Sequence, residues 1–185
     1  MLSHPLVGGA VLTALEPWQA AEFAAHVDRE RAHLAPWLPW AGRVVDEDSA
    51  REFLQRYADS QAADGGRLYG IRDGGALVGG ALYRVFEPRF GSCEVGVWLA
   101  AGAQGRGLVT SAAAVLIDWA FDARGMGRVE WRTVPGNARS IATAKRLGMT
   151  REGVLRSAYP MGGVRYDVEV WSVLPQEWRA RVTAT

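Results

Sequence analysis

Residues 99–121 read LAAGAQGRGLVTSAAAVLIDWAF. The apolar, strand-like run SCEVGVWLA over 92–100 leads into this stretch, Gly102, Gly105 and Gly107 punctuate it, and a run of Ala, Val, Leu and Ile follows until Gly125 stops it. A strand, a glycine-rich turn and a helix in that order have a physical use. A helix start leaves about four backbone N–H groups unpaired and carries a partial positive charge, and glycines just ahead of it let a phosphate approach the main chain closely. The stretch predicts an anion site.

Spacing narrows the choice of anion. A nucleoside-triphosphate loop needs Lys and then Ser or Thr directly after Gly102-x4-Gly107, where Leu108 and Val109 stand. A dinucleotide loop that begins at Gly105 and Gly107 needs a third glycine where Thr110 stands. What remains is Gln104-Gly105-Arg106-Gly107-Leu108-Val109. It resembles the Q/R-x-x-G-x-G/A acyl-CoA loop of the GNAT N-acetyltransferase superfamily, in which loop amides hold the coenzyme A pyrophosphate. Val109 departs from the usual final Gly or Ala but keeps its backbone donor. Read alone, the loop is also compatible with an ordinary strand-to-helix turn.

Outward from the loop the chain reads as one folded unit over 1–185. VGGAVLTAL over 7–15 suggests a strand, and Glu16-Pro17 opens a helix at about 17–31. Ser49-x-x-Glu52 reads as a capping box opening a helix at about 49–62. RLYGIRD and ALVGGALYRVF flank Asp73-Gly74-Gly75, a hairpin turn. RVEWRTV is a strand, NARSIATAKRLG a helix with Asn137 as N-cap and Gly148 as stop, and a last hairpin turns at Met161-Gly162-Gly163. These elements predict an α/β (α+β) domain whose mixed sheet carries helices on its faces.

Composition excludes other classes. The 185 residues carry 21 basic and 20 acidic side chains, interspersed, so no basic stripe points to nucleic acid. The single Cys93 and the scattered His4, His26 and His33 predict neither a disulfide nor a metal site. No run of about 18 apolar residues occurs and the first residues lack the pattern of an export signal, so no membrane partner is expected and the cytoplasm is the expected compartment.

The resemblance extends well beyond the loop. EVGVWL before it, NARSIATAKRLGM after the next strand, EGVLR followed by YDVEVWSVL, and WLPW at 37–40 are similar in order and spacing to the RimJ/RimL-type branch, the ribosomal-protein alanine/serine N-acetyltransferase-like enzymes. This implies a three-layer fold with a central, mostly antiparallel sheet of seven strands and about four helices. It also implies transfer of an acetyl group from acetyl-CoA, a co-substrate, to the primary amine of a protein or peptide N-terminus or a small molecule. Attack is direct, within a ternary complex.

The resemblance implies site residues too. Trp98 and Leu99 line the cofactor arm through the main chain of a splayed strand, with an amide near Leu99 facing the acetyl oxygen. Gln104, Gly105, Arg106, Gly107, Leu108, Val109 and Thr110 form the pyrophosphate loop, and Asn137 meets the pantetheine side. Glu94 resembles the general base of several branches, and a salt-bridged or substrate-orienting glutamate is the other reading of it. The tyrosine that many members use as general acid is replaced here by Ala144. Ser140 matches the serine of RimL-like members that donates to the leaving sulfur, with Tyr159 or Tyr166 as substitutes. Arg139 and Lys145 are candidates for CoA phosphates, and Trp37, Trp40 and Phe86 for the acceptor wall. Cys93, next to Glu94 on a strand, points to the opposite face and reads as core. The family often forms homodimers, and nothing in the sequence requires one. A non-catalytic CoA-binding sensor and a transferase for another acyl group such as succinyl remain the alternatives.

Overall fold

The computed structural model describes residues 3–182; residues 1, 2 and 183–185 of the expected 1–185 unit lie outside that range. Strands β1 (Ser3–Pro5), β2 (Val11–Ala14), β3 (Arg67–Asp73), β4 (Ala76–Glu87), β5 (Ser92–Leu99), β6 (Arg128–Thr133), β7 (Thr150–Met161) and β8 (Val164–Val173) form one sheet in the order β1-β2-β3-β4-β5-β6-β8-β7. Helices α1 (Ala20–Leu34), α2 (Glu47–Ala62), α3 (Leu108–Asp118), α4 (Ala138–Arg146) and α5 (Pro175–Val182) complete it. This is the arrangement expected from the sequence, with one more strand and one more helix. The extra strand, β1, is three exposed residues, too short to show the alternation that marks a half-buried strand.

Local chemistry explains most element ends. Gly74 and Gly75 sit at φ +56° and +84°, the left-handed pair that a tight two-residue hairpin requires. Helix α2 starts two residues earlier than expected. Its N-cap is Asp46, whose carboxylate accepts from the Ser49 amide at 2.8 Å while Ser49 Oγ accepts from the Asp46 amide at 3.0 Å. Ser49 is therefore the returning partner of the box and not its cap. Asn137 caps α4 as expected, accepting from the Ser140 amide at 3.1 Å.

Each sheet face packs its own apolar cluster. One gathers Tyr83, Phe86, Cys93, Val95, Leu108, Leu116, Val129 and Trp131 under α3 and α4. The other gathers Phe23, Val27, Phe53, Leu54 and Trp98 under α1 and α2.

The pairing between β5 and β6 is what positions a site. These are the sheet's parallel neighbours, and they pair only over Ser92–Glu94 against Arg128–Glu130. Beyond that point β5 continues to Leu99 on β4 alone, and β6 continues to Thr133 on β8 alone. The two strands diverge into a notch with Glu94 at its apex. The Ala100 amide donates back to Val78 O at 2.7 Å, so strand alternation turns the main-chain groups of Leu99 and Val97 towards the notch.

Candidate active site

The glycine loop lies at the open end of the notch. Gly105 and Gly107 adopt φ +79° and +75°, left-handed values that a side chain adopts only with strain. Gly107 is the N-cap of α3 and offers no capping side chain, so among the described residues the amides of Leu108, Val109 and Thr110 have no internal acceptor. They form a donor cluster at the positive end of the helix, the chemistry that suits a phosphate. Leu108 itself is buried and anchors the turn.

Side chains brace this loop from distant parts of the chain. Gln104 Nε2 lies 2.9 Å from His33 Nε2, and Glu30 Oε2 accepts from the Ala101 amide at 2.9 Å, so α1 holds the loop by two bonds. On the other side Thr110 Oγ1 accepts from Arg146 at 3.2 Å. Arg106 turns away: it pairs with Asp73 at the β3–β4 turn and does not line the cavity described next. Its anionic partner is the hairpin carboxylate, which competes with any phosphate.

A cavity of about 1490 Å³ runs from this loop along the notch and out between α1 and β7. Gln104, Gly105, Gly107, Leu108, Val109, Thr110 and Asn137 line one end, and Trp98 and Leu99 line the middle. Glu94 and Ser140 both reach it, from opposite faces of the sheet, because the notch is where the sheet is open.

Glu94 is 6% exposed and holds Arg84 through both carboxylate oxygens, with Arg132 Nε at 3.5 Å. Arg84 is placed by a bulge. Tyr83 pairs with Val95 and Val85 with Glu94, so Arg84 is the extra residue and its side chain is re-aimed across Glu94. The same bulge decides the fate of Phe86. The inserted residue shifts the strand's alternation and returns Phe86 to the α3 face, where it is 4% exposed and packs edge-on to Tyr83 at 5.1 Å. The expectation that Phe86 forms an acceptor wall is therefore corrected: it lies in the core and does not reach the cavity.

Ser140 is half-buried on the first turn of α4, and its Oγ accepts from the indole N–H of Trp131 on β6 at 2.9 Å. At the far end Trp37 and Trp40 line the cavity with Tyr57, Leu155 and Tyr159. Trp40 is locked in an aromatic cluster, 5.1 Å from Phe53 and 5.4 Å from Trp98, whereas Trp37 is 39% exposed. Burial pushes the phenols of Tyr57 and Tyr159 above their ordinary value, so both remain protonated donors. Cys93 lies on the other face, with burial raising its thiol to about 12. No group of three metal-ligating side chains occurs among the described residues, and no helix there is long and apolar enough to cross a membrane.

His33, Arg84, Trp131 and Tyr57 had no signal in the sequence. His33 meets Gln104 across 71 positions, and Arg84 reaches Glu94 only through an unannounced bulge.

Comparison with known proteins places this architecture. Residues 11–150 match the acetyltransferase (GNAT) domain model. YdaF of Bacillus subtilis (strain 168), whose name provisionally assigns it as a ribosomal N-acetyltransferase, is 30% identical over 169 residues, 89% of this chain and 90% of that protein. Among solved structures, RimL, a ribosomal L7/L12 alpha-N-protein acetyltransferase in complex with coenzyme A, is 21% identical and superposes with a TM-score of 0.88 over 93% of this chain and 97% of that one. The microcin C7 self-immunity acetyltransferase MccE, in complex with acetyl-CoA and AMP, is 24% identical with a TM-score of 0.84 over 89% and 92%. At these identities the two structures speak for the fold.

Proposed function

The chain belongs to the GNAT acetyltransferase family, and from that premise we propose that it moves the acetyl group of acetyl-CoA to a primary amine by direct attack within a ternary complex. The observation that carries this reading is the notch between β5 and β6, whose unpaired edges run from the Gly105–Gly107 loop to Glu94 within one cavity. Acetyl-CoA fits this lining: amides at a helix N-terminus suit its pyrophosphate, and the free edge of β5 suits the amide groups of its pantetheine arm.

Each part of the chemistry then has a residue. The loop amides of Leu108, Val109 and Thr110, steadied through Gln104 and Arg146, hold the pyrophosphate, and Asn137 borders the pantetheine. The main chain of Trp98 and Leu99 lines the arm, and the Leu99 amide polarises the thioester carbonyl. The acceptor enters between Trp37, Trp40 and Tyr159, with Glu94 as the carboxylate that receives the ammonium's proton, directly or through water, once Arg84 yields an oxygen. The neutral nitrogen attacks the thioester carbon; a C–N bond forms, the C–S bond breaks, and its electron pair leaves on sulfur. Ser140 donates a hydrogen bond to that sulfur; the second proton the nitrogen loses is the one the thiol takes, and the first passes from Glu94 to solvent. The products are the acetamide and CoA–SH.

The acceptor is a protein or peptide N-terminus or a small amine. Support comes from the names of YdaF and RimL, both of which point to ribosomal proteins. The test is thiol release from acetyl-CoA in the presence of N-terminal peptides and small amines. Amine-dependent release with a matching acetylated product supports the reading; release with none of the amines, together with intact acetyl-CoA binding, would favour a CoA-binding sensor instead.

A further inference from the structure

We propose that Trp131 is a positioning residue for Ser140, fixing the serine hydroxyl so that its proton points into the acyl slot. This rests on the reading above that Ser140 donates to the leaving sulfur.

An indole N–H can only donate, so the 2.9 Å contact makes Ser140 Oγ the acceptor and leaves the serine's own hydrogen for another partner. The Ser140 amide is already used by Asn137 Oδ1. A serine in a helix ordinarily turns its hydroxyl back on the preceding carbonyls or out to water; here one lone pair is held from the sheet side, and the cavity lies in front. Trp131 is well placed for this. It is 3% exposed, packed in the α3-side cluster and opposite Trp171 on β8. It also stands just past the last β5–β6 pair, so it forms the notch wall on the β6 side. The bond thus ties the rigid wall of the slot to the first turn of α4.

The test needs no acceptor. Bound coenzyme A is titrated from pH 6 to 10 by the ultraviolet absorbance of its thiolate, with acetyl-CoA binding as a control for a folded site. A donated hydrogen bond favours the thiolate, so Ser140→Ala is expected to move the midpoint up by about one pH unit. Trp131→Phe removes the N–H donor together with part of the ring, and is expected to move it in the same direction with no added shift in the double variant. Trp131→His, which restores a ring N–H, is expected to recover part of the shift. Ser140→Ala and Trp131→Phe leave the nearby charges of Arg132, Arg139 and Glu94 as they are, and the imidazole of Trp131→His is neutral above about pH 7.5, where its thiol midpoint is read. A Trp131→Phe midpoint equal to wild type beside a shifted Ser140→Ala midpoint would overturn the proposal while leaving the role of Ser140 standing. An unshifted Ser140→Ala would sink that role itself. If Trp131→Phe does not fold, the Trp131 indole resonance of the intact chain decides: the proposal requires it to move in Ser140→Ala, and a fixed resonance overturns it.

Discussion

Arg84 on β4 grips both carboxylate oxygens of Glu94 on β5, one through Nε and one through Nη2. The carboxylate side is 8% exposed and the guanidinium side 53%, so the pair is a buried anion closed off by a half-exposed cation at the notch apex. Removing the cation leaves the buried carboxylate with only its longer contact to Arg132, at 3.5 Å. Arg84→Met is expected to destabilise the fold by about 1–3 kcal/mol, less than the roughly 3–5 of a fully buried pair. Urea unfolding measures it, and an unchanged midpoint would show that Glu94 does not depend on Arg84.

The same pair bears on the chemistry. With Glu94 as proton acceptor, Glu94→Gln should lower kcat/KM by about 10²–10⁴. A loss of less than about tenfold would assign Glu94 to orienting the acceptor through Arg84 and Arg132.

How far these residues could be read from the sequence follows from the range of the interactions. The Asp73-Gly74-Gly75 turn, the Asn137 cap and the glycine loop are local, so residue type alone announces them. The bulge at Arg84 has no local signature. It reverses which face Phe86 meets, which is why an aromatic expected at the acceptor wall is core. Arg106 likewise follows from a contact 33 positions away, with Asp73. Asp46 displaces Ser49 as cap because an aspartate three residues ahead offers the better acceptor, a competition that the Ser49-x-x-Glu52 pattern hides.

Cys93 is expected to be inert. Burial raises its thiol to about 12, far above assay pH, and it faces away from the cavity. A thiol reagent at pH 8 should label the native chain only at the rate of unfolding and label it at once in denaturant; fast native labelling would contradict the placement of β5.

Acid should weaken the edge of the sheet formed by β6, β8 and β7. Arg128 and Ser172 hold the Glu152 carboxyl at about 2, below its ordinary value. A depressed folded value contributes stability that is present above the unfolded value, about 4.3, and is lost as pH falls towards 2. Stability measured between pH 6 and 2.5 should therefore fall with pH, and Glu152→Gln should flatten that slope. An identical slope in the variant would remove Glu152 from the acid response.

The central claim is that the β5–β6 notch and its glycine loop bind acetyl-CoA. Isothermal titration of the intact chain with acetyl-CoA, with ATP and NAD as controls, tests it most directly, alongside Gly105→Val, which places a branched side chain at φ +79°. The account predicts selective binding with a Kd of about 1–100 μM, weakened at least tenfold in Gly105→Val while the variant remains folded. No binding by the wild-type chain, or equal binding by a folded Gly105→Val, would contradict it.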